Sequence, residues 1–229
     1  MAYLNLAADK GWTSLKHMKR DGDLTILHDQ KGWEPVLAKV QKNIDLVEKD
    51  YNKPLQKQLE AIYVKDQTLR LLHREAEEKF GRGTEEMNYF WEVIGKQDSL
   101  NELEVVQIIE KHGWVGRSEV GGRANLALWL VIQHAPLHLQ EKYLPLLKAS
   151  VLKRESRGSH LALLEDRIQM RNGKPQIYGS QYHRDEESGK YVFSKIKNPK
   201  KVNERRKEVG LGPIEDYAKK FGIEWPMKE

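Results

Sequence analysis

Residues 123–136 read RANLALWLVIQHAP, and this stretch decides the fold. Seven apolar side chains follow one another over residues 126–132, so the helix that they predict is apolar on nearly every face. Such a helix belongs at the centre of a domain, with other helices packed around it. Its end is polar, because Gln133 and His134 come just before Pro136, which stops the helix. Buried polar groups need hydrogen-bond partners, so this end predicts a polar cluster inside an apolar body.

The composition is that of a globular protein. The 229 residues are 39% hydrophobic and 32% charged, which suits one domain or one domain with an appendage. The absence of cysteine excludes disulfides, a thiolate nucleophile and cysteine-based zinc sites. No apolar run is long enough to span a bilayer, and the N-terminus lacks a signal-peptide pattern. We therefore expect a soluble protein and favour the cytoplasm.

The excess of positive charge is small and spread along the chain. The formal net charge is +5, and only residues 195–207, KIKNPKKVNERRK, are locally basic. Glu204 interrupts this segment and few aromatic residues lie within it. We interpret it as a solvated helix surface, and we do not expect nucleic acid or a membrane as a partner.

Apolar spacing predicts helices over most of the chain. A long helix is expected over about residues 54–80, because leucine and isoleucine recur at steps of three and four residues. Thr84 is the expected N-cap of the next helix. Ser99 and Glu102 form a capping-box pattern, which predicts that a separate helix starts there and runs to His112.

Further helices are predicted up to about residue 168, and a different pattern begins there. The pairs Asn172-Gly173 and Ser188-Gly189 are turn signals between short extended runs, one of which is QIYGSQ at residues 176–181. The predicted fold class is therefore mainly α, a multi-helix bundle with a small antiparallel β-hairpin or meander near the C-terminus. We expect all strands to lie within residues 168–196.

Several segments from residue 66 onward occur together in a known family. They are DQTLR, DSLNELEVVQIIEKHGW, SEVGGRANLALWLVIQHA, LALLEDRIQM, GKPQIYGSQ and VNERRKEVGL. With these segments the chain resembles a bacterial family known as domain of unknown function 6624. The sequence differs from the usual pattern of that family at Val115, where proline is typical, and at Pro136, where an acidic residue is typical. The resemblance implies a relationship but no activity.

The N-terminal segment resembles something else. Its pieces AYLNLAADKG and DGDLTILHDQKGWEPVLAKVQKN, within residues 1–43, are similar to the tail of a tetratricopeptide-like helical repeat. We therefore divide the chain into a partial tetratricopeptide-like cap over residues 1–45 and an α-helical domain over residues 46–229. A cap of this kind implies a protein partner that binds the N-terminal helices.

The candidate site gathers polar side chains from separate segments. His134 is the expected general base, because a histidine can act as a base or an acid near neutral pH. Asp166 is its expected partner, which orients the imidazole and raises its pKa. Arg167 is expected to hold an anion. The expected ligand-binding side chains are amides, a carboxylate and a phenol: Asp98, Asn101, Gln133, Gln176, Tyr178 and Gln181.

Each of these residues also has a purely structural interpretation. His134 can be a core histidine bonded to a backbone carbonyl, and Asp166 or Arg167 can join helices to the hairpin. Asp66 and Arg70, four residues apart on one helix, fit a solvated ion pair. No histidines have the spacing of a helical metal site and no cofactor motif is present, so we expect neither a metal nor a cofactor.

The sequence thus supports two functional hypotheses. The first is a domain that binds or processes, by hydrolysis or group transfer, a small polar or peptide-like ligand. The alternative is a non-catalytic protein-interaction scaffold. A pocket open to solvent around His134 favours the first, and a sealed hydrogen-bond network favours the second. Whether the protein is an enzyme stays open at this point.

Overall fold

Helices dominate the computed structural model, which describes residues 1–226. In chain order they are α1 (Ala2–Asp9), α2 (Leu15–Arg20), α3 (Trp33–Val47), α4 (Lys53–Phe80), α5 (Glu85–His112), α6 (Arg117–Val120), α7 (Gly122–His134), α8 (Leu137–Leu152), α9 (Gly158–Arg171), α10 (Val202–Glu208) and α11 (Ile214–Phe221). Short 3-10 helices span Gly22–Leu27 and Pro199–Lys201. The strands are β1 (Tyr182–Arg184) and β2 (Tyr191–Phe193). The predicted fold class is confirmed, and no strand occurs within residues 1–160.

The chain divides into two compact units, Met1–Tyr51 and a larger one that begins at Asn52. In the first unit, α1, α2 and α3 pack around an apolar core of their own. This core includes Met18, Trp33 and Val36. The candidate site residues all belong to the second unit.

The central helix of the second unit is α7, as its sequence predicts. Leu128 and Ile132 are fully buried, and α4, α5, α8 and α9 all pack against α7. These neighbours bury most of α7, while Arg123 is exposed and Leu126 and Leu130 are only partly buried, and a largely buried position is what a helix with so few polar residues requires. No helix in the described part of the chain is long and apolar enough to span a membrane.

The buried face of α4 carries one charged residue. Leu55, Leu59, Ile62 and Asp66 follow one another at helical steps of four, three and four residues, and all four are buried. Asp66 therefore points into the same interior as the three apolar side chains. A carboxylate in that position needs a partner from a neighbouring element.

The long helix α5 corrects one sequence prediction. The Thr84 cap is confirmed, since its hydroxyl accepts a hydrogen bond from the N–H of Met87. The capping box at Ser99 is wrong, because α5 continues through this point and the Ser99 hydroxyl donates to the carbonyl of Gly95. A serine can bond back to the preceding turn and so remain inside a helix. Asp98 consequently lies in the middle of α5 and not at a helix start.

The region of the predicted meander holds one hairpin. β1 and β2 pair antiparallel, with Tyr182 opposite Phe193, and the Ser188-Gly189 turn lies between them. The Asn172-Gly173 pair ends α9 and does not form a hairpin, because Gly173 adopts the positive φ that commonly terminates a helix.

QIYGSQ, predicted as a strand, forms a loop with a single bridge between Gln176 and Ile196. The basic segment 195–207 is not a free surface throughout. Val202 belongs to the C-terminal core, and Arg205 and Arg206 donate to backbone carbonyls, among them those of Ile177 and Tyr178. These arginines help to fix the loop, as does Asp166, which accepts hydrogen bonds from the backbone of the loop.

A stacked ring pair joins α7 to α9. The rings of Trp129 and His160 lie 4.3 Å apart and nearly parallel, and Trp129 Nε1 donates to the carbonyl of His160. Burial, with a smaller contribution from the charge of Arg157, lowers the pKa of His160 from 6.5 to about 4. His160 Nδ1 is buried and has no hydrogen-bond partner among the described residues.

We predict that His160 makes the fold sensitive to mild acid. The unfolded chain takes up a proton at this side chain below about pH 6.5, whereas the folded chain does so only near pH 4. Protonation of His160 in the unfolded chain should therefore lower the free energy of unfolding by about 2 kcal/mol between pH 6.5 and pH 4.5. His160→Phe keeps a ring against Trp129 but cannot take up a proton. In urea titrations at pH 6.5 and 4.5, its free energy of unfolding should therefore fall by about 2 kcal/mol less than that of the original protein. An equal pH dependence in both proteins would contradict the prediction.

Candidate functional site

Four side chains from three helices meet at the end of α7. His134 is the last residue of α7, Asp66 and Arg70 lie one turn apart on α4, and Asp98 comes from α5. His134 Nδ1 lies 3.1 Å from Asp66 Oδ1 and 3.2 Å from Arg70 Nε. Arg70 Nη2 lies 2.8 and 2.7 Å from the two carboxylate oxygens of Asp98. The four residues form one connected charged network.

The charges of this network decide which imidazole nitrogen carries the proton. Nδ1 cannot donate to Asp66 and accept from Arg70 at the same time. The side chain of Asp66 is only 1% exposed and ionised at neutral pH, and an ionised carboxylate beside an unprotonated Nδ1 would be repulsive. Nδ1 therefore bears the hydrogen and donates to Asp66. This leaves Nε2 unprotonated in the neutral ring, without a hydrogen bond to any described residue.

The two acids of the network differ in their pKa values. Burial alone would raise the pKa of Asp66, but the hydrogen bond and charge of His134, with Gln67 and Arg70, outweigh it and lower that pKa. Burial raises the pKa of Asp98, and the charge of Arg70 offsets only part of this effect. Asp66 is thus the more firmly ionised of the two, which suits a group that stabilises a histidinium.

A cavity of about 420 Å³ adjoins this network. This volume lies in the range of small-molecule sites. The charged residues of its wall come from α4, α5, α7 and α9, and the apolar ones come from α5. The lining residues are Arg70, His73, Trp91, Ile94, Gly95, Asp98, His134 and Arg167. His134, Asp98 and Arg167, all expected in the site, therefore share one cavity.

Asp166 does not orient His134, and that prediction is wrong. Its buried carboxylate accepts hydrogen bonds from the backbone N–H groups of Ile177, Tyr178 and Ser180, at 2.6, 2.9 and 2.9 Å. Burial raises the pKa of Asp166, although these donors oppose the shift. Consecutive helical residues point about 100° apart, so Asp166 meets the loop while Arg167 reaches the cavity. Asp66 holds the position beside His134 that we expected for Asp166.

The side chains of Gln176 and Tyr178 in QIYGSQ stabilise the loop and its contact with α9 and do not reach the cavity. The Gln176 side chain bonds to the backbone of Gln181 and to the carbonyl of Ser194. The Tyr178 hydroxyl donates to Glu165. Gln181 alone approaches the cavity, because its Oε1 accepts from Arg167 Nε at 3.2 Å.

The remaining two expected ligand-binding residues lie near the cavity but do not line it. Asn101 is fully buried on α5, and its Oδ1 accepts from the side chain of Gln97. Gln133 is buried, and its backbone carbonyl accepts from both Gln140 and Arg167. Gln133 thus positions Arg167, whereas Asn101 bonds within α5.

Sequence reasoning left Asp66 and Arg70 out of the site, although a signal for them exists. Asp66 continues the register of Leu55, Leu59 and Ile62, so it falls on the buried face of its helix and cannot form a solvated pair there. Trp91 and Ile94 lie three residues apart on α5, a spacing that predicts core packing as readily as the wall of a cavity. No pattern in the sequence pointed to Gly95 as part of a cavity.

Three of these residues could also hold a metal ion. One ligand atom from each of Asp66, Asp98 and His134 lies within 4.8 Å of the others. Arg70, however, already binds both oxygens of Asp98 and lies next to His134 Nδ1. A cation bound by all three residues would have to displace this guanidinium, whose charge the two carboxylates already use.

Comparison with known proteins assigns most of the second unit to one family. The model of a family of unknown function (DUF6624) matches residues 53–228. This match contains every residue of the cavity and of the charged network. No curated protein and no solved structure matches the chain.

We predict that neutral His134 carries its hydrogen on Nδ1. Asp66 should hold the ring in this form, because its ionised carboxylate can only accept a hydrogen bond. Long-range ¹H–¹⁵N spectra of the neutral ring distinguish the two nitrogens directly. Asp66→Asn should reduce the preference for this tautomer. A spectrum that places the hydrogen on Nε2 would instead make Nδ1 an acceptor from Arg70 and would contradict the assignment.

We predict a structural role for Asp166. Asp166→Asn replaces one of the two acceptor oxygens by a donor, which faces backbone N–H groups and cannot accept from them. The free energy of unfolding should fall by about 1–3 kcal/mol, as measured by urea denaturation. The His134 tautomer should remain as in the original protein, because His134 does not bond to Asp166. A changed tautomer with unaltered stability would restore Asp166 to the role that the sequence suggested.

Proposed function

The chain belongs to this family of unknown function, and we propose from the site that the cavity at the end of α7 binds a small polar ligand and that His134 acts on it as a general base. The observation that carries the proposal is the contact between His134 Nδ1 and the buried carboxylate of Asp66. It leaves Nε2 as the basic nitrogen of a residue that lines a cavity. A carboxylate that orients a histidine in this way stabilises the imidazolium formed when the base takes a proton.

The reaction class follows from what these groups can do. His134 Nε2 takes the proton of a water molecule or a ligand hydroxyl while that oxygen attacks a carbonyl or phosphoryl centre. The imidazolium then returns the proton to the leaving group, so the histidine is neutral again at the end. This is hydrolysis or group transfer. Arg167 offers N–H groups to negative charge on the ligand, and Asp66 carries no proton at any stage.

The alternative is a non-catalytic protein-interaction scaffold. It is favoured by the first unit, which resembles a tetratricopeptide-like segment and exposes large apolar side chains. Tyr3 and Ile26 are 88% and 82% exposed. Exposed apolar side chains of this size are available for contact with a protein partner. Such a partner would bind the first unit and would not require the chemistry of His134.

Hydrolysis of 4-nitrophenyl acetate, followed by release of 4-nitrophenolate, tests the proposed base. His134→Gln should lower the rate by about 100-fold, because a positioned general base contributes at least this much. Asp66→Asn should cause a smaller loss and should change the pH dependence of the rate. His138→Gln is the matched control, because His138 is exposed on α8 and does not line the cavity. Its rate should equal that of the original protein.

Three outcomes of this assay would contradict the proposal. Equal rates in His134→Gln and His138→Gln would mean that His134 is not the base. An absence of hydrolysis by any of the proteins would favour the scaffold. A rate that disappears with a chelator and returns with Zn²⁺ or Mn²⁺ would favour a metal held by Asp66, Asp98 and His134.

A further inference from the structure

Arg167 is a largely buried cation without an acidic partner. Its Nη1 donates to the backbone carbonyl of Gln133 at 2.8 Å and its Nε donates to Gln181 Oε1. No carboxylate within residues 1–226 forms a salt bridge with it. Burial, followed by the positive charges of Arg171 and Arg70, lowers its pKa to about 10, so it stays charged at neutral pH. A buried cation of this kind is stabilised by any anion that reaches it.

The other cations and acids of the cavity already have partners. Arg70 binds Asp98 through Nη2, and His134 is paired with Asp66. Arg167 therefore carries the uncompensated charge of the cavity wall. An anion in the cavity gains most at Arg167, whose guanidinium is suited to carboxylate and phosphate oxygens.

Part of the wall that α5 contributes is apolar, and this part includes a glycine. Trp91 is 49% exposed and packs against the ring of His73, with centroids 4.8 Å apart. Ile94 is buried next to it, and Gly95 follows. Gly95 is exposed, and a Cβ atom added there would meet nothing within 4 Å. The missing side chain leaves space beside an indole ring, and such a space suits an apolar group.

We propose that the ligand is an organic anion, with a carboxylate or phosphate bound by Arg167 and an apolar group packed against Trp91 and Ile94 over Gly95. The inference rests on the proposed function, because it names the ligand class of the same cavity. It adds the apolar part of the α5 wall, which the proposed chemistry does not use, to the unpaired charge of Arg167 on α9.

Four probes separate the two halves of this ligand. Phenylacetate and phenyl phosphate carry both an anion and an apolar ring, benzyl alcohol lacks the charge, and acetate lacks the ring. Each is titrated at up to millimolar concentrations while the side-chain ¹H–¹⁵N signals of Arg167 and Trp91 are followed. At least one of the two aromatic anions should bind about tenfold more tightly than benzyl alcohol and than acetate. The preferred anion identifies the ligand as a carboxylate or as a phosphate.

Gly95→Leu tests the apolar half without loss of the fold. Leucine is a better helix former than glycine and has open space at this position, so the melting temperature should be unchanged or higher. The affinity for the preferred aromatic anion should fall about tenfold, while acetate should bind as before. Lys96→Leu is the matched control, because it adds the same side chain at the adjacent exposed position, which does not line the cavity.

Arg167 variants test the charged half. Arg167→Gln should abolish the preference for the aromatic anion over benzyl alcohol, and Arg167→Lys should retain much of it. Because Arg167 also bonds to Gln133 and Gln181, the melting temperature of both variants is measured first. If Arg167→Gln does not fold, the preference for the aromatic anion over benzyl alcohol is compared between Arg167→Lys and the original protein. Lysine retains the charge but not the paired N–H groups, so the preference should be weaker but still present.

The outcomes distinguish the ligand class from the base. Equal binding of all four probes, binding of none, or unchanged affinity in Gly95→Leu would overturn the inference. If ester hydrolysis still depends on His134 in that case, only the ligand class is wrong. If the probes bind as expected and hydrolysis does not depend on His134, only the proposed base is wrong.

Discussion

A carboxylate in the interior between α4 and α7 has to be neutralised, and the site depends on how this is done. Asp66 lies on the same helical face as Leu59 and Ile62, where an isolated anion would cost several kcal/mol. It is compensated by His134 from α7 and by Arg70 from its own helix. The pairing fixes the end of α7 against α4.

Arg70 extends this constraint to a third helix. Its Nη2 binds both oxygens of Asp98, so α4, α5 and α7 are joined by one series of charged contacts. An apolar interface tolerates small shifts of its helices, whereas these contacts depend on direction and distance. The cavity forms where the three helices meet, and its walls are therefore held in place by the same charges that line it.

Two polar networks in the second unit perform different tasks. The network of Asp166 is closed, because its carboxylate is surrounded by the N–H groups of a loop that would otherwise need a strand partner. The network of His134 borders a cavity, because His134, Arg70 and Asp98 line it together with Arg167. Arg167 connects the two networks through Gln181 and the carbonyl of Gln133. The network of Asp166 thus supports the network of His134. Gly95 leaves space in the cavity wall, although glycine is a poor helix former.

Sequence alone determined the central position of α7, because a helix that is apolar on all faces can only be buried. It also determined the hairpin turn at Ser188-Gly189 and placed His134 at a polar, buried helix end. Tertiary structure alone decided which acid meets His134. Periodicity identifies the residues that face inward, and Asp66 and Asp166 both do. It does not identify which helices become neighbours, since Asp66 and His134 are 68 residues apart and are brought together by the packing of α4 on α7.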